Sequence, residues 1–157
     1  MLFRSGIFYQ QRLLAAATTD NPQTFWGSQT ADFENFRPDD LTGTIEDDDA
    51  YTYTISSDEV NAIRWMRGSK STLVIGTFGE EWVVGSTGAV VTPNDIVVDP
   101  ATSHGSAAVQ PLRIGAVILF LQRAMRKIRE MVFDFAVDGF QAFDMTRLAQ
   151  HITKGGI

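Results

Sequence analysis

The chain has 157 residues, 44% apolar and 20% charged, a composition that fits one globular domain and excludes an intrinsically disordered chain. Its formal charge of −6 disfavours a sequence-independent grip on nucleic-acid phosphates. The absence of cysteine excludes disulfides, thiolate metal sites and a cysteine nucleophile.

In chain order, the opening MLFRSGIFYQQRLLAAA does not read as a secretory signal, because charged and polar residues interrupt its apolar run. RLLAAATTDNPQTFWGS reads as a first hairpin, with Leu13–Thr18 going up, a break at Asn21-Pro22, and Thr24–Ser28 returning. The stretch NPQTFWGSQTADFENF puts Phe25 beside Trp26, which an extended chain points to opposite faces, and continues into a polar loop carrying Phe33 and Phe36. AYTYTIS at 50–56 alternates cleanly, and NAIRWMR at 61–67 is a further strand candidate. STLVIGTFGEEWVVGSTG reads as a second hairpin, Leu73–Thr77 and Glu81–Gly85 about a turn at Phe78-Gly79-Glu80. AVILFLQRAMRKIREMVFDF reads as a third, Val117–Gln122 and Lys127–Phe133 about Ala124-Met125. Its core also places Leu121, Met125, Ile128 and Met131 at helical spacing, and the layout of the two earlier hairpins favours strands. DMTRLAQHI at 144–152 is a helix or turn candidate with Asp144 or Thr146 as cap. AVILFL at 116–121, the longest apolar run, is far short of the ~20 residues of a membrane helix, so no stable membrane insertion is expected.

The expected fold is all-β, with nine to eleven short strands. LVIG, AVILF and TFW are apolar at consecutive positions, so both faces of those strands leave water. Antiparallel strands dry on both sides arise when small sheets stack around an axis, so the hairpin repeats are expected to form two to three blades of a β-propeller. The approximate blades are 7–56, 57–110 and 111–157 of one partial domain, 1–157. In that arrangement Phe25 and Trp26 pack against two neighbouring sheets, while Phe33 and Phe36 pin the loop over the seam. So few blades cannot close a ring, so an apolar sheet face or a strand edge is expected to remain uncovered.

The charges segregate. Residues 20–59 hold eleven acids against Arg37 alone, whereas residues 112–135 hold five bases against Glu130 and Asp134. Solvated faces account for this, and so does a head-to-tail contact between copies. The acids Asp39, Asp40, Asp47, Asp48 and Asp49 lack the register of a calcium loop, and His104 and His151 have no companion at ligand spacing, so no metal or cofactor is expected. No G-x-S-x-G elbow or P-loop occurs, and Gly76 and Gly79 read as packing and turn residues. Glu34, Asp58 and Glu80 are carboxylates that strands could bring together, but their spacing selects no pair. The chain is not expected to be an enzyme.

The succession QQRLLAAATTDNPQTFWGSQTADFENF, DDDAYTYTISSDEVNAIRWM, LVIGTFGEEWVVGS, TPNDIVV and HGSAAVQPLRIGAVILFLQRAMRKIREMVFDFAVDGFQAFDMTRLAQHI resembles the nozzle, or tail tubular B-like, proteins of short-tailed bacteriophages and related prophages. The similarity runs from about Gln11 to Ile157. It implies a structural virion component of the phage tail: a β-propeller assembled as a homo-oligomer, usually six copies, attached to adaptor or gatekeeper proteins. DNA passes through it during ejection as cargo only, and its copies are assembled in the host cytoplasm. Carried onto this chain, the resemblance gives structural or interface roles to Trp26, Ser28, Phe33, Asn35 and Phe36. It does the same for Glu81 and Trp82, and for Gln122, Arg123, Arg129, Glu130, Asp134 and Phe135. The acidic run Asp39, Asp40, Asp47, Asp48 and Asp49 is a candidate lumen or rim loop. Two local departures stand out: Met125 where the family commonly has glycine, and a first strand, RLLAAATT, less bulky than the pattern suggests. The chain is also shorter than family members, which reads as a piece of a longer protein. The alternative is a carbohydrate- or receptor-binding β-domain of a tail appendage, to be recognised by a groove lined with Trp and acids.

Overall fold

The computed structural model describes residues 2–39, 43–58, 61–69 and 72–157. Among them are twelve strands, one more than the top of the expected range. They are β1 (Ser5–Tyr9), β2 (Arg12–Ala16), β3 (Thr24–Gly27), β4 (Tyr51–Thr54), β5 (Ile63–Gly68), β6 (Leu73–Thr77), β7 (Glu81–Gly85), β8 (Val97–Thr102), β9 (Leu112–Ile114), β10 (Val117–Leu121), β11 (Ile128–Asp134) and β12 (Gly139–Asp144). They form three four-stranded antiparallel sheets, each a meander in chain order: β1 to β4, β5 to β8, and β9 to β12. The second hairpin has the expected limits. The third segment is strand rather than helix, with Ile118 opposite Met131 and Phe120 opposite Arg129. Of the 144–152 candidate, only Gln150–Thr153 is helical (α1). Asp144 closes a turn instead of capping it, its Oδ1 accepting from the Thr146 N–H and hydroxyl at 2.9 and 2.7 Å.

The middle sheet accounts for the consecutive apolar residues. Adjacent side chains of a strand point to opposite faces, and here each face has a sheet against it. On one side Met66, Leu73, Ile75, Trp82 and Val84 pack with Leu14, Ala16, Phe25 and Tyr51 of the first sheet. On the other, Trp65 and Val74 pack with Ile118, Phe120 and Met131 of the third. All five residues of β6 are therefore buried, each large aliphatic one contributing about 1.5–3 kcal/mol by leaving water. Gly76 lies opposite Trp65, and a methyl group there would overlap the indole, so its role is close packing.

The end sheets differ. Phe25 is fully buried between sheets, but Trp26 is not sandwiched: it lies on the outward face of the first sheet, covered in part by the edge of Phe3 at 5.5 Å. The expectation that both rings meet neighbouring sheets fails for Trp26, because a first sheet has a neighbour on one side only. Phe33 packs edge-on against Phe8 at 5.1 Å, and Phe36 borders a groove with Phe3, Gly6 and Leu13. Both rings thus hold the β3–β4 loop on this outward face rather than over a seam. On the third sheet, Ile118 and Phe120 face inward, so register puts Leu112, Leu119, Val132 and Phe143 on the outer face. Leu112 is 65% exposed and Phe143 49%. Each end sheet therefore presents apolar side chains that no sheet among the described residues covers.

Met125 sits in the β10–β11 turn with φ +55°, a region that strains any residue with a Cβ. The turn closes through the Met125 N–H to the Gln122 carbonyl at 2.8 Å and the Gln122 N–H to the Lys127 carbonyl at 2.9 Å. Met125→Gly is expected to stabilise the protein by about 0.5–1 kcal/mol, the relieved strain outweighing the added chain entropy. Chemical denaturation of the two forms checks this, and a loss of stability refutes it.

Candidate functional site

Two buried charged side chains organise the loops. Arg12, at the start of β2, is 1% exposed and donates through Nη1 to the Ser28 and Asp49 carbonyls and through Nη2 to the Asp47 carbonyl, all at 2.6 Å. Its guanidinium carbon lies 5.4 Å from the Tyr51 ring centre. Burial lowers the Arg12 pKa against the pull of Tyr51 and of Asp48, Asp49 and Asp47, and burial pushes the Tyr51 phenol up to about 12. Asp49 is itself buried, accepting from the Glu46 N–H at 2.8 Å and Gln29 Nε2 at 3.1 Å. Asp47 and Asp48 are exposed, Asp39 is half-buried, and Asp40 lies outside the described residues. The acidic run thus divides into an inward anchor and outward charges.

Glu81, at the start of β7, is fully buried. Its Oε1 accepts from the Ser106 hydroxyl at 2.8 Å, and its Oε2 accepts from the Thr102 hydroxyl at 2.6 Å and the His104 N–H at 3.2 Å. Burial raises its pKa, against those hydrogen bonds and the charge of Arg129. The carboxylate ties the middle sheet to the β8–β9 loop. Its neighbour Trp82 is 6% exposed and its Nε1 has no hydrogen-bond partner.

The other residues singled out by resemblance fall into separate local sets. Ser28 is buried, its Oγ accepting from the Leu13 N–H at 3.0 Å. Asn35 Nδ2 donates to Gln29 Oε1 at 2.7 Å, within the loop that carries Phe33 and Phe36. Arg129 donates to Gln122 Oε1 at 3.2 Å and to the Ala142 carbonyl at 3.0 Å. Asp134 closes the β11–β12 turn through the Ala136 N–H at 2.8 Å and Gln141 Nε2 at 3.0 Å. Glu130 lies opposite Leu119, on the outer face of the third sheet, and Phe135, 89% exposed, packs edge-on against Phe133 at 5.0 Å. The three motifs mark three sheets; the second and third meet where Arg129 acts on Glu81 and where Trp82 and Arg123 line one cleft, and the first lies apart from them.

An open cleft of about 480 Å³ lies beside the β6–β7 turn, lined by Ser57, Asp58, Asn61, Glu80, Trp82 and Arg123 among others. Asp58 and Glu80 thus share a cleft, while Glu34 sits in the β3–β4 loop at the opposite end of the strands. Asn61 Nδ2 lies 3.3 Å from Glu80 Oε2 and donates to Ser57 Oγ at 2.8 Å. Among the described residues no group of three His, Asp or Glu is arranged to hold a metal ion.

The alternation of strands sorts the turns to two ends. Gln10 joins the β1–β2 turn to Ala89 and Val91 of the β7–β8 loop, and Asn94 reaches Asp47, so those loops share one end. That end carries Asp32, Glu34, Asp47, Asp48 and Asp95. The other carries Arg123, Arg126, Lys127, Arg147 and Lys154 together with Asp20, Asp58, Glu80 and Asp144. Arg12 escaped the sequence reading, since a lone cation before an apolar run gives no sign that distant backbone carbonyls surround it. A scan of protein-family models finds no match to this chain, and a search of curated proteins finds none either.

Proposed function

We propose that the chain is a structural component of a bacteriophage tail, part of the nozzle through which DNA leaves for the host. The reading joins the sequence resemblance to one observation: three successive four-stranded meanders packed face to face, ending at two apolar faces that no sheet among the described residues covers. The sheets are then three blades of a β-propeller, a fold of four to eight blades, and the uncovered faces call for neighbours. Those neighbours are further blades or further copies, six by the resemblance, with adaptor proteins above. The acidic end suits a conduit, because negative charge repels a passing polyanion instead of retaining it. The acidic end and the bases of the β10–β11 turn at the other end also suit head-to-tail contact between copies.

Size-exclusion chromatography with light scattering is expected to give masses above one chain, with little retention of duplex DNA at low salt. A monodisperse monomer at all concentrations, or firm duplex binding, overturns the reading. The cleft bearing Asp58, Glu80, Asn61 and Trp82 favours a second reading, a carbohydrate- or receptor-binding domain of a tail appendage. Trp82 is too buried to offer a ring face to a sugar, which ranks this reading second. Retention on cell-wall glycan, lost in Asp58→Ala, is its distinguishing result.

A further inference from the structure

We propose that Arg4 and Arg64, with the Gln110 amide, form a binding site for a phosphate-class oxyanion. Both arginines line a cleft of about 390 Å³, together with Ile63, Ala108 and Gln110, between the segment entering β1, strand β5 and the β8–β9 loop. Neither makes an ion pair among the described residues, where the one salt bridge is Lys127–Asp144 at 3.1 Å. Arg64 Nε is buried with no hydrogen-bond partner. The Arg64 guanidinium lies 5.4 Å from the Phe78 ring centre, and Arg123 lies at the same distance from that ring. A chain of net charge −6 therefore gathers two arginines at one aromatic ring and sets a third, Arg4, in the same cleft as Arg64, and among the described residues no carboxylate forms an ion pair with any of them.

That arrangement is costly when empty. Like charges repel more strongly beside a low-dielectric wall than in water, and a buried N–H without an acceptor loses its hydration for nothing. An oxyanion reverses both terms. Guanidinium groups present planar forks that match phosphate oxygens, and an amide N–H adds a neutral donor. Phe78 fixes the Arg64 plane by cation–π contact, so less side-chain freedom is lost on binding. The cleft holds one phosphate group or a small phosphorylated molecule, whereas a duplex needs an extended basic track. This site rests on guanidiniums that have no ion pair among the described residues, and not on the tail reading, so either can fail alone.

The test is calorimetric titration of inorganic phosphate into the full chain, with sodium chloride at matched ionic strength as control. Saturable binding of one phosphate per chain is expected, weakened about tenfold in Arg4→Gln and in Arg64→Gln and unchanged in Arg147→Gln. Arg64→Lys keeps the charge without the fork and should fall between. If Arg64→Gln does not fold by circular dichroism, Arg4→Gln decides, because Arg4 is exposed and its removal leaves the core intact. Absence of saturable binding, equal binding by the Arg4 variant, or reproduction of the effect by chloride overturns the proposal.

Discussion

Replacing Arg12 by alanine is expected to destabilise the protein by about 3 kcal/mol and to release the β3–β4 loop. The guanidinium serves three backbone carbonyls, those of Ser28, Asp47 and Asp49, from a fully buried position. Without it those acceptors lie in a cavity with no donor, each costing about 1–3 kcal/mol unless water enters. The lost packing against Tyr51 adds to the cost. Arg12→Lys should recover only part, because one ammonium cannot reproduce a fork that reaches carbonyls on two sides. Hydrogen exchange gives the local readout. The Asp49 and Ala50 amides, bonded to Glu46 and Arg37 carbonyls, should lose protection before β6 does. A variant within 1 kcal/mol of the parent would show that Arg12 fills space and nothing more.

Glu81 gives the second large effect, and it separates charge from hydrogen bonding. Glu81→Ala removes the acceptor for two hydroxyls and one N–H in a buried site and should cost about 2–4 kcal/mol. Glu81→Gln should cost little. Its carbonyl oxygen can keep Thr102 and the His104 N–H, and its NH₂ can donate to a Ser106 hydroxyl turned to accept. The pH dependence follows from the raised pKa of the buried acid. In the window from the ordinary glutamate value up to the folded value, the folded chain holds a proton that the unfolded chain has lost. This contribution is complete at lower pH and drains away as pH rises through the folded pKa. His104 acts in the opposite sense. Burial, then Arg129 and Lys127, lower its pKa, so its contribution is present above the ordinary histidine value and is lost on acidification. Urea denaturation from pH 4 to 8 should therefore show a component falling with pH in the parent that is absent from Glu81→Gln. Identical profiles would sink the assignment.

The strands legible in the sequence are those whose environment leaves a compositional mark. β6 and β7 were delimited to the residue because sheets lie on both sides of them, so every position is apolar or tightly packed. The strands that escaped notice, β1, β8, β9 and β12, are all sheet edges. β8 contains Asp99 and Pro100, which an edge tolerates because one side of its backbone needs no partner. β9 is three exposed residues with no alternation to detect. The β1–β2 turn hides for another reason. Gln10 and Gln11 both take positive φ, a conformation signalled in sequence by Asn-Gly, not Gln-Gln. The bonds of the Gln10 side chain to the Ala89 carbonyl and the Val91 N–H offset that strain from another sheet. The positive φ of Met125 has no signal in its own sequence, where only the resemblance suggested glycine.

The candidate sites were less legible than the sheets. Arg12 lies beside an acidic run yet bonds to its backbone carbonyls, which no charge count can register. Arg4, Arg64 and Arg123 are up to 119 positions apart in the chain, and only the stacking of sheets sets Arg4 and Arg64 in one cleft and Arg64 and Arg123 on the Phe78 ring.

Sequence alone determined that this protein is all-β and that its central strands are dry front and back, because burial on both faces demands apolar residues at consecutive positions. Tertiary structure alone decided what covers each face. Phe25 meets a second sheet while Trp26, its neighbour, faces outward under the ring of Phe3, since a residue's polarity records that it leaves water and not which distant segment removes it.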